Sequence, residues 1–196
     1  MSILDRVKNV LFLPKKAWDE IELENQTPAS LMVSYLLPLM LIPIIAIFIS
    51  YGIIGFKVPF LGYVCSYEMA LRQALMTLLS TVIGIFVTAF IIDVLAPSFG
   101  AEKNFNNSFK LVIYSYTPSL VGGVFLFYYA TAILSGLLGF YGLYILYLGL
   151  KPMMKVKEEQ HLIYFIISLV ATIAVFVVLS FLLTTIIIGN SMMYSI

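Results

Sequence analysis

The chain has 196 residues, of which 62% are hydrophobic and only 11% are charged, and its mean hydropathy is +1.05. This composition indicates an integral membrane protein rather than a soluble domain. The net charge of +1 does not by itself indicate a class of partner. The basic residues are scattered along a mostly lipid-facing chain, which argues against a nucleic-acid partner. One cysteine excludes an intrachain disulfide, and one cysteine with one histidine cannot build an ordinary zinc site, so no cofactor or metal is predicted.

The first predicted element is an amphipathic helix at the N-terminus. Ser2 and Asp5 form a capping box with Ser2 as the N-cap. Apolar residues then follow at helical spacing on one face, opposite a polar face. The apolar face comprises Ile3, Leu4, Val7, Val10 and Leu11, and the polar face comprises Arg6, Lys8 and Asn9.

Pro14 ends this helix and opens a second one, which carries Trp18. Amphipathic helices beside a bilayer lie in its interface, so Trp18 is predicted to be an interface anchor. A docking surface for a cytosolic partner is the alternative. Residues 1–28 lack the uninterrupted apolar core of a secretory signal peptide and are predicted to form a cytoplasmic amphipathic segment.

Long charge-free runs follow, and they predict transmembrane helices. The runs are Ala29–Phe56, Gln73–Ile92, Leu111–Leu150 and the tail from Leu162. A hydrocarbon core of about 30 Å needs roughly 20 helical residues. Leu111–Leu150 has 40 residues, which as one helix would be about 60 Å long. It could be one overlong crossing or a hairpin of two.

The distribution of lysine and arginine decides between these alternatives, because both concentrate on the cytoplasmic side of short loops. With five spans, one side holds nine of them and the other holds only Lys57 and Arg72. With four spans the split is six to five. We therefore predict an all-α bundle of five transmembrane helices in residues 29–190, with spans at about 31–52, 73–95, 111–129, 134–150 and 163–187. The N-terminus is cytoplasmic, and a short tail, 191–196, is extracytoplasmic.

Small residues recur along the predicted fourth span. Gly136, Gly139 and Gly142 stand three residues apart, and such residues let membrane helices approach closely. They are predicted to be helix-packing positions. Tyrosines on the same helix, including Tyr144, could bond other spans, contact headgroups or line a path for a ligand.

Asp93 is the acidic residue close to the end of a span, and ionisable groups near hydrocarbon are functional candidates by default. The structural alternative is a salt bridge to Lys110 or Lys151. The residues expected near the inner half of the hairpin form a candidate functional polar cluster: Asp93, Lys110, Tyr114, Thr117, Tyr144 and Lys151. The chain contains no paired catalytic carboxylates, phosphate-binding loop or nucleophile motif, so we predict that it is not an enzyme.

Three stretches of this sequence resemble the Yip1 domain family. The first runs from Asp93 to Phe105 and continues from Lys110 to Pro118. The second, Leu143–Met154, resembles the fourth span of that family and its exit, and the third, Leu11–Trp18, is similar to the entry of prokaryotic members. Their order and spacing carry the resemblance, which covers nearly the whole chain.

The resemblance implies a five-helix membrane domain with a cytoplasmic N-terminus. Eukaryotic relatives lie in Golgi and endoplasmic reticulum membranes and associate with Rab-type GTPases. The short N-terminal region here is similar to that of bacterial members, for which a GTPase role should not be carried over. The expected location is the bacterial cytoplasmic membrane, with the Golgi or endoplasmic reticulum as the alternative for a eukaryotic chain.

Two functions remain open. The first is a non-enzymatic scaffold that organises membrane proteins or lipid, with the bilayer, further copies of itself or other membrane proteins as partners. The second is a small transporter, channel or lipid-translocating protein that acts as an oligomer, since kinked spans and intramembrane polar groups could line a route.

Overall fold

A computed structural model describes residues 2–58, 62–128 and 131–193, and it describes side chains within 2–55, 64–128 and 131–178. The predicted all-α bundle with five membrane-spanning helices is confirmed. Residue 129 at the predicted end of the third span, and residues 194–196 of the predicted tail, lie outside the described residues.

Two short helices precede the spans: α1 is Ile3–Phe12 and α2 is Pro14–Glu22. The predicted capping box is present, because the Asp5 amide donates to Ser2 Oγ at 3.1 Å and the Ser2 hydroxyl donates to the Asp5 carboxylate at 2.6 Å. This hydroxyl lowers the pKa of Asp5. Pro14 occupies the first turn of α2, where its missing N–H has no helical partner to lose.

The five candidate spans, numbered 1 to 5, are Pro28–Ile54, Tyr67–Phe99, Phe105–Phe127, Ala132–Met154 and Glu158–Val178. The last belongs to a helix that runs from Glu158 to Met193. A two-stranded antiparallel hairpin, β1 (Phe56–Val58) and β2 (Gly62–Val64), lies between spans 1 and 2. The 40-residue apolar run is divided between spans 3 and 4, as the lysine distribution predicts.

Spans 1 and 3 are built from several helical pieces. Span 1 contains α-helical pieces Pro28–Leu31 and Leu37–Ile49, and wider π-helical turns at Met32–Leu36 and Ser50–Ile54. Span 3 consists of α-helices Phe105–Ser115 and Thr117–Gly122 followed by a 3₁₀ turn, Gly123–Phe127. Span 2 is one α-helix, Tyr67–Leu95, ending in a 3₁₀ turn, Ala96–Phe99, and span 4 is a single α-helix.

Span 3 lies at the centre of the bundle. Its most apolar window is 67% buried, whereas the corresponding windows of the other spans are 17–39% buried. The pieces of span 3 contact spans 1, 2 and 4, and α2 packs on span 4. One end of the bundle carries α1, α2, the span 2–span 3 connection, the start of span 3, the end of span 4 and the span 4–span 5 connection. We call it the lysine-rich end, because nine of the eleven Lys and Arg lie there.

Candidate functional site

A buried polar network joins α1 and α2 to the lysine-rich end of the bundle. Arg6 of α1 is only 6% exposed. Its guanidinium forms an ion pair with Glu24, lies 3.7 Å from the Glu20 carboxylate, and stands 5.6 Å from the centre of the Tyr114 ring. A buried arginine between two carboxylates and an aromatic face ties the helix pair to span 3.

Lys110 makes the second link between the same elements. This side chain is 4% exposed although it lies in span 3. Its ammonium donates to the main-chain carbonyl of Glu24 at 2.9 Å and to that of Ile21 at 3.5 Å. These carbonyls lie at the end of α2, where a helix leaves its last acceptors unpaired and where a positive charge is favourable.

Span 3 connects this network to span 1 through hydroxyl groups. Tyr114 donates to the Gln26 side chain at 3.0 Å, and the Tyr35 and Thr117 hydroxyls share a hydrogen bond of 2.8 Å. The Tyr35 and Tyr114 rings meet edge to face at 4.8 Å. Thr117 also donates to the Tyr114 carbonyl at 2.6 Å, one residue before Pro118.

The structure brings three of the six residues of the predicted polar cluster together and places the other three elsewhere. It places Lys110, Tyr114 and Thr117 in one buried network. Tyr144, by contrast, is 49% exposed and stacks on Tyr141, so it lies apart from them. Lys151 is also exposed and forms an ion pair with Glu158.

Asp93 lies apart from both lysines. Its side chain is 6% exposed, and its Oδ1 has no hydrogen-bond partner among the described residues. The suggested salt bridge to Lys110 or Lys151 is wrong for the described structure, because those lysines bind main-chain carbonyls and Glu158 instead. Beside it, the Tyr164 hydroxyl donates to the Ile92 carbonyl at 2.5 Å.

The prediction that Trp18 is an interface anchor is wrong for this structure, because the side chain packs inside the protein. Trp18 is 2% exposed, and its indole N–H donates to the Ile145 carbonyl of span 4 at 3.1 Å. The ring rests on Gly149, where a Cβ would overlap it. The bundle thus supplies both an apolar surface and an acceptor, which a bilayer interface would otherwise supply.

The three predicted packing glycines differ in their surroundings. A Cβ on Gly142 would come within 2.6 Å of the Ser115 carbonyl oxygen, so spans 3 and 4 meet there at backbone distance. A Cβ on Gly139 would make an ordinary contact of 3.4 Å with Ser119 Oγ. At Gly136 nothing lies within 4 Å, so this glycine makes no close helix contact within the described chain.

Three hollows lie around spans 4 and 5 in the described part of the chain. The groove, about 730 Å³, lies at the lysine-rich end between α2 and the adjoining ends of spans 4 and 5. The crevice is a wholly apolar cleft between spans 4 and 5. The cavity, about 220 Å³, lies between spans 2, 3, 4 and 5 and is lined by apolar residues with several hydroxyl groups. The described residues contain no group of three or more His, Cys, Asp or Glu placed to hold a metal ion.

The sequence reasoning missed Arg6, Glu24, Gln26 and Tyr35 as members of the network. Arg6 was predicted on the polar face of α1, and Leu4 on the apolar face, but Leu4 is 67% exposed while Arg6 is buried. Helical spacing does indicate that Arg6 shares a face with apolar residues, since it stands three residues after Ile3 and four before Val10. The other three residues carry no local signal, because their partners lie 18 to 88 positions away.

These features define a class: a polytopic α-helical membrane protein whose N-terminal helices fold back onto a five-span bundle. A family-wide sequence model described as Yip1 domain matches residues 8–182. The chain therefore belongs to the Yip1 domain family. Comparison with curated proteins and with solved structures found no match.

Proposed function

We propose that this protein is a non-enzymatic scaffold that organises lipid and membrane proteins in a bacterial inner membrane, with its lysine-rich end in the cytoplasm. The observation that supports this most is the buried network at that end. Arg6 and Lys110 fasten the N-terminal helices to the bundle through Glu24 and the end of α2. The ion pair and hydrogen bonds of these side chains hold the helices in a fixed arrangement, while Arg6 Nη1 and Glu24 Oε2 have no hydrogen-bond partner among the described residues.

A rigid surface at the membrane boundary suits a scaffold because its charges keep a fixed arrangement. The groove presents lysines and carboxylates at this boundary on α2, span 4 and span 5. The Trp18 hydrogen bond fastens α2 to span 4, and His161 of span 5 lies 2.8 Å from the Tyr147 carbonyl of span 4. The spans present exposed leucine, isoleucine and phenylalanine side chains, which suits contact with lipid or neighbouring helices.

The test compares two variants on the same helix. Arg6→Met removes the buried guanidinium, whereas Lys8→Met removes an exposed charge of α1 and is the matched control. Full-length proteins are reconstituted in vesicles and cross-linked at low protein-to-lipid ratio. We expect wild type and Lys8→Met to form the same discrete oligomer and Arg6→Met to lose it while staying inserted. A wild-type protein that is strictly monomeric would contradict the scaffold.

The cavity favours a second candidate, a small transporter or lipid-translocating protein. Two buried polar atoms near it, Asp93 Oδ1 and Ser168 Oγ, have no hydrogen-bond partner among the described residues. Ser168 lines the cavity, and Asp93 follows Ile92, which also lines it. An ionisable residue inside a membrane span is costly, and such residues often mark ion or substrate pathways.

Lipid translocation gives this candidate a direct measurement. Vesicles containing a fluorescent phospholipid are exposed to an impermeant quencher, which quenches lipid of the inner leaflet only after that lipid has crossed to the outer leaflet. Protein-dependent quenching that Asp93→Asn abolishes would favour translocation over the scaffold. Quenching no faster than in protein-free vesicles, together with a discrete oligomer, would favour the scaffold.

A further inference from the structure

The groove, the crevice and the cavity adjoin one another and share residues. Tyr147 lines both the groove and the crevice, and Leu143 and Leu169 line both the crevice and the cavity. The polarity changes along this route. It begins with charged side chains at the lysine-rich end, continues through an apolar cleft, and ends in a mainly apolar cavity inside the bundle.

The groove contains charges of both signs, and only some of them form ion pairs within the described residues. Lys151 is paired with Glu158 across its rim, and His161 Nε2 is 2.8 Å from the Tyr147 carbonyl. Lys15 and Asp19 of α2 have no ion-pair partner among the described residues and are exposed. Glu22 is one turn further along the same helix and also lines the groove. A cation and two carboxylates are therefore exposed in the groove, outside the ion pairs of the described residues, and can meet a ligand with both charges.

The length of the route matches one leaflet of a bilayer. Lys151 in the groove and Gly139 in the cavity are twelve residues apart on span 4. At 1.5 Å per residue this is about 18 Å. Half of a hydrocarbon core of about 30 Å is about 15 Å. An acyl chain that starts at the membrane surface would thus end near the cavity.

The cavity has room for part of such a chain. Its volume of about 220 Å³ exceeds that of an engineered apolar cavity of about 150 Å³ that admits benzene. It also lies beside span 5, the least buried span, so a chain can enter laterally from the bilayer through the crevice.

We infer that the groove, crevice and cavity form a binding site for a glycerophospholipid with a zwitterionic primary-amine headgroup. The phosphodiester lies near Lys15, the ammonium is held by Asp19 and Glu22, and one acyl chain follows the crevice into the cavity. The inference rests on the lipid-organising part of the proposed function and specifies the lipid. Carboxylates can each accept a hydrogen bond from a primary ammonium, whereas a quaternary ammonium has no N–H to donate and is recognised mainly by aromatic faces.

The test measures which phospholipid the full-length protein retains. Protein in mild detergent is offered equal amounts of phosphatidylethanolamine, phosphatidylcholine and phosphatidylglycerol, and bound lipid is counted by native mass spectrometry. Wild type should retain phosphatidylethanolamine preferentially. The double variant Asp19→Asn with Glu22→Gln should lower that preference by roughly tenfold and favour phosphatidylglycerol, because the lysines of the groove then outnumber its remaining carboxylate, Glu158. Glu159→Gln, exposed and outside the groove, is the matched control.

A second pair of variants tests the acyl-chain part of the site. Leu143→Trp fills the crevice and should lower retention of all three lipids alike. Leu137→Trp adds the same ring to an exposed position of span 4 and should change nothing. Equal retention of the three headgroups by wild type, or full retention by Leu143→Trp, would overturn the inference.

The cross-linking experiment on the scaffold is independent of both lipid-retention experiments. A discrete oligomer without selective lipid retention would refute this lipid site alone. Selective lipid retention by a monomer would refute the scaffold alone.

Discussion

The contact between spans 3 and 4 allows a prediction from two glycines of one helix. Gly142→Ala places a Cβ within 2.6 Å of the Ser115 carbonyl oxygen. This acceptor is main chain and cannot rotate away, so the two helices must separate. Gly136→Ala places the same atom where nothing lies within 4 Å. The chemical change is identical, and only the environment differs.

The magnitude follows from two terms. Replacing glycine by alanine in a helix is favourable by about 1 kcal/mol in water, and this gain is common to both variants. Overpacking costs typically about 1–3 kcal/mol, and it applies only to Gly142→Ala. The free energy of unfolding of Gly142→Ala should therefore lie about 1–3 kcal/mol below that of Gly136→Ala, which itself should be equal to or above wild type.

The assay uses the chain's single tryptophan, Trp18, which packs against span 4. Unfolding of the purified protein from mild detergent is followed by its fluorescence as a denaturing detergent is added. Equal midpoints for the two variants would refute the close approach of spans 3 and 4. A lower midpoint for Gly136→Ala would show instead that this glycine makes a contact, for example with a second copy of the chain.

Three further predictions concern the N-terminal helices and the orientation of the bundle. Trp18→Phe removes the hydrogen bond to Ile145 and should lower the free energy of unfolding by about 1 kcal/mol, measured by thermal denaturation. An impermeant thiol reagent should label the exposed Cys65 in intact cells, and labelling only after permeabilisation would reverse the proposed orientation. The Ser2 hydroxyl lowers the pKa of Asp5, so the ionised Asp5 side chain stabilises α1 above the ordinary aspartate pKa of about 3.9, and this stabilisation is lost as pH falls through the lower folded value. Hydrogen exchange in α1 should therefore become faster over that pH range. Ser2→Ala should abolish this pH dependence.

The number of spans could be predicted because it depends on local properties. Runs of apolar residues and the positions of lysines are visible in the sequence, and together they divide the 40-residue run correctly. The capping box of α1 was predictable for the same reason, since Ser2 and Asp5 are three residues apart.

The polar network could be predicted only in part, because it depends on which elements meet. Lys110, Tyr114 and Thr117 follow one another along span 3 and share its buried surroundings. Arg6 and Glu24, which complete the network, precede the first span, and nothing in the local pattern shows that α1 folds back over span 3. Without that information a tryptophan beside a membrane is expected to face lipid, and Trp18 does not.

The burial of span 3 explains why its sequence is the least apolar of the five spans. A helix surrounded by lipid must be apolar over most of its circumference, because lipid offers its side chains no hydrogen-bond partners. A helix surrounded by protein can carry polar side chains wherever a neighbour supplies a partner, as Tyr35 does for Thr117 and Gln26 does for Tyr114. Span 5 has the opposite combination, since it is among the most apolar and only 17% of its window is buried. The polarity of a span in this family member therefore indicates its position in the bundle before it indicates a function. Within the spans, Asp93 Oδ1 and Ser168 Oγ depart from this rule, because these buried oxygens lack such a partner among the described residues.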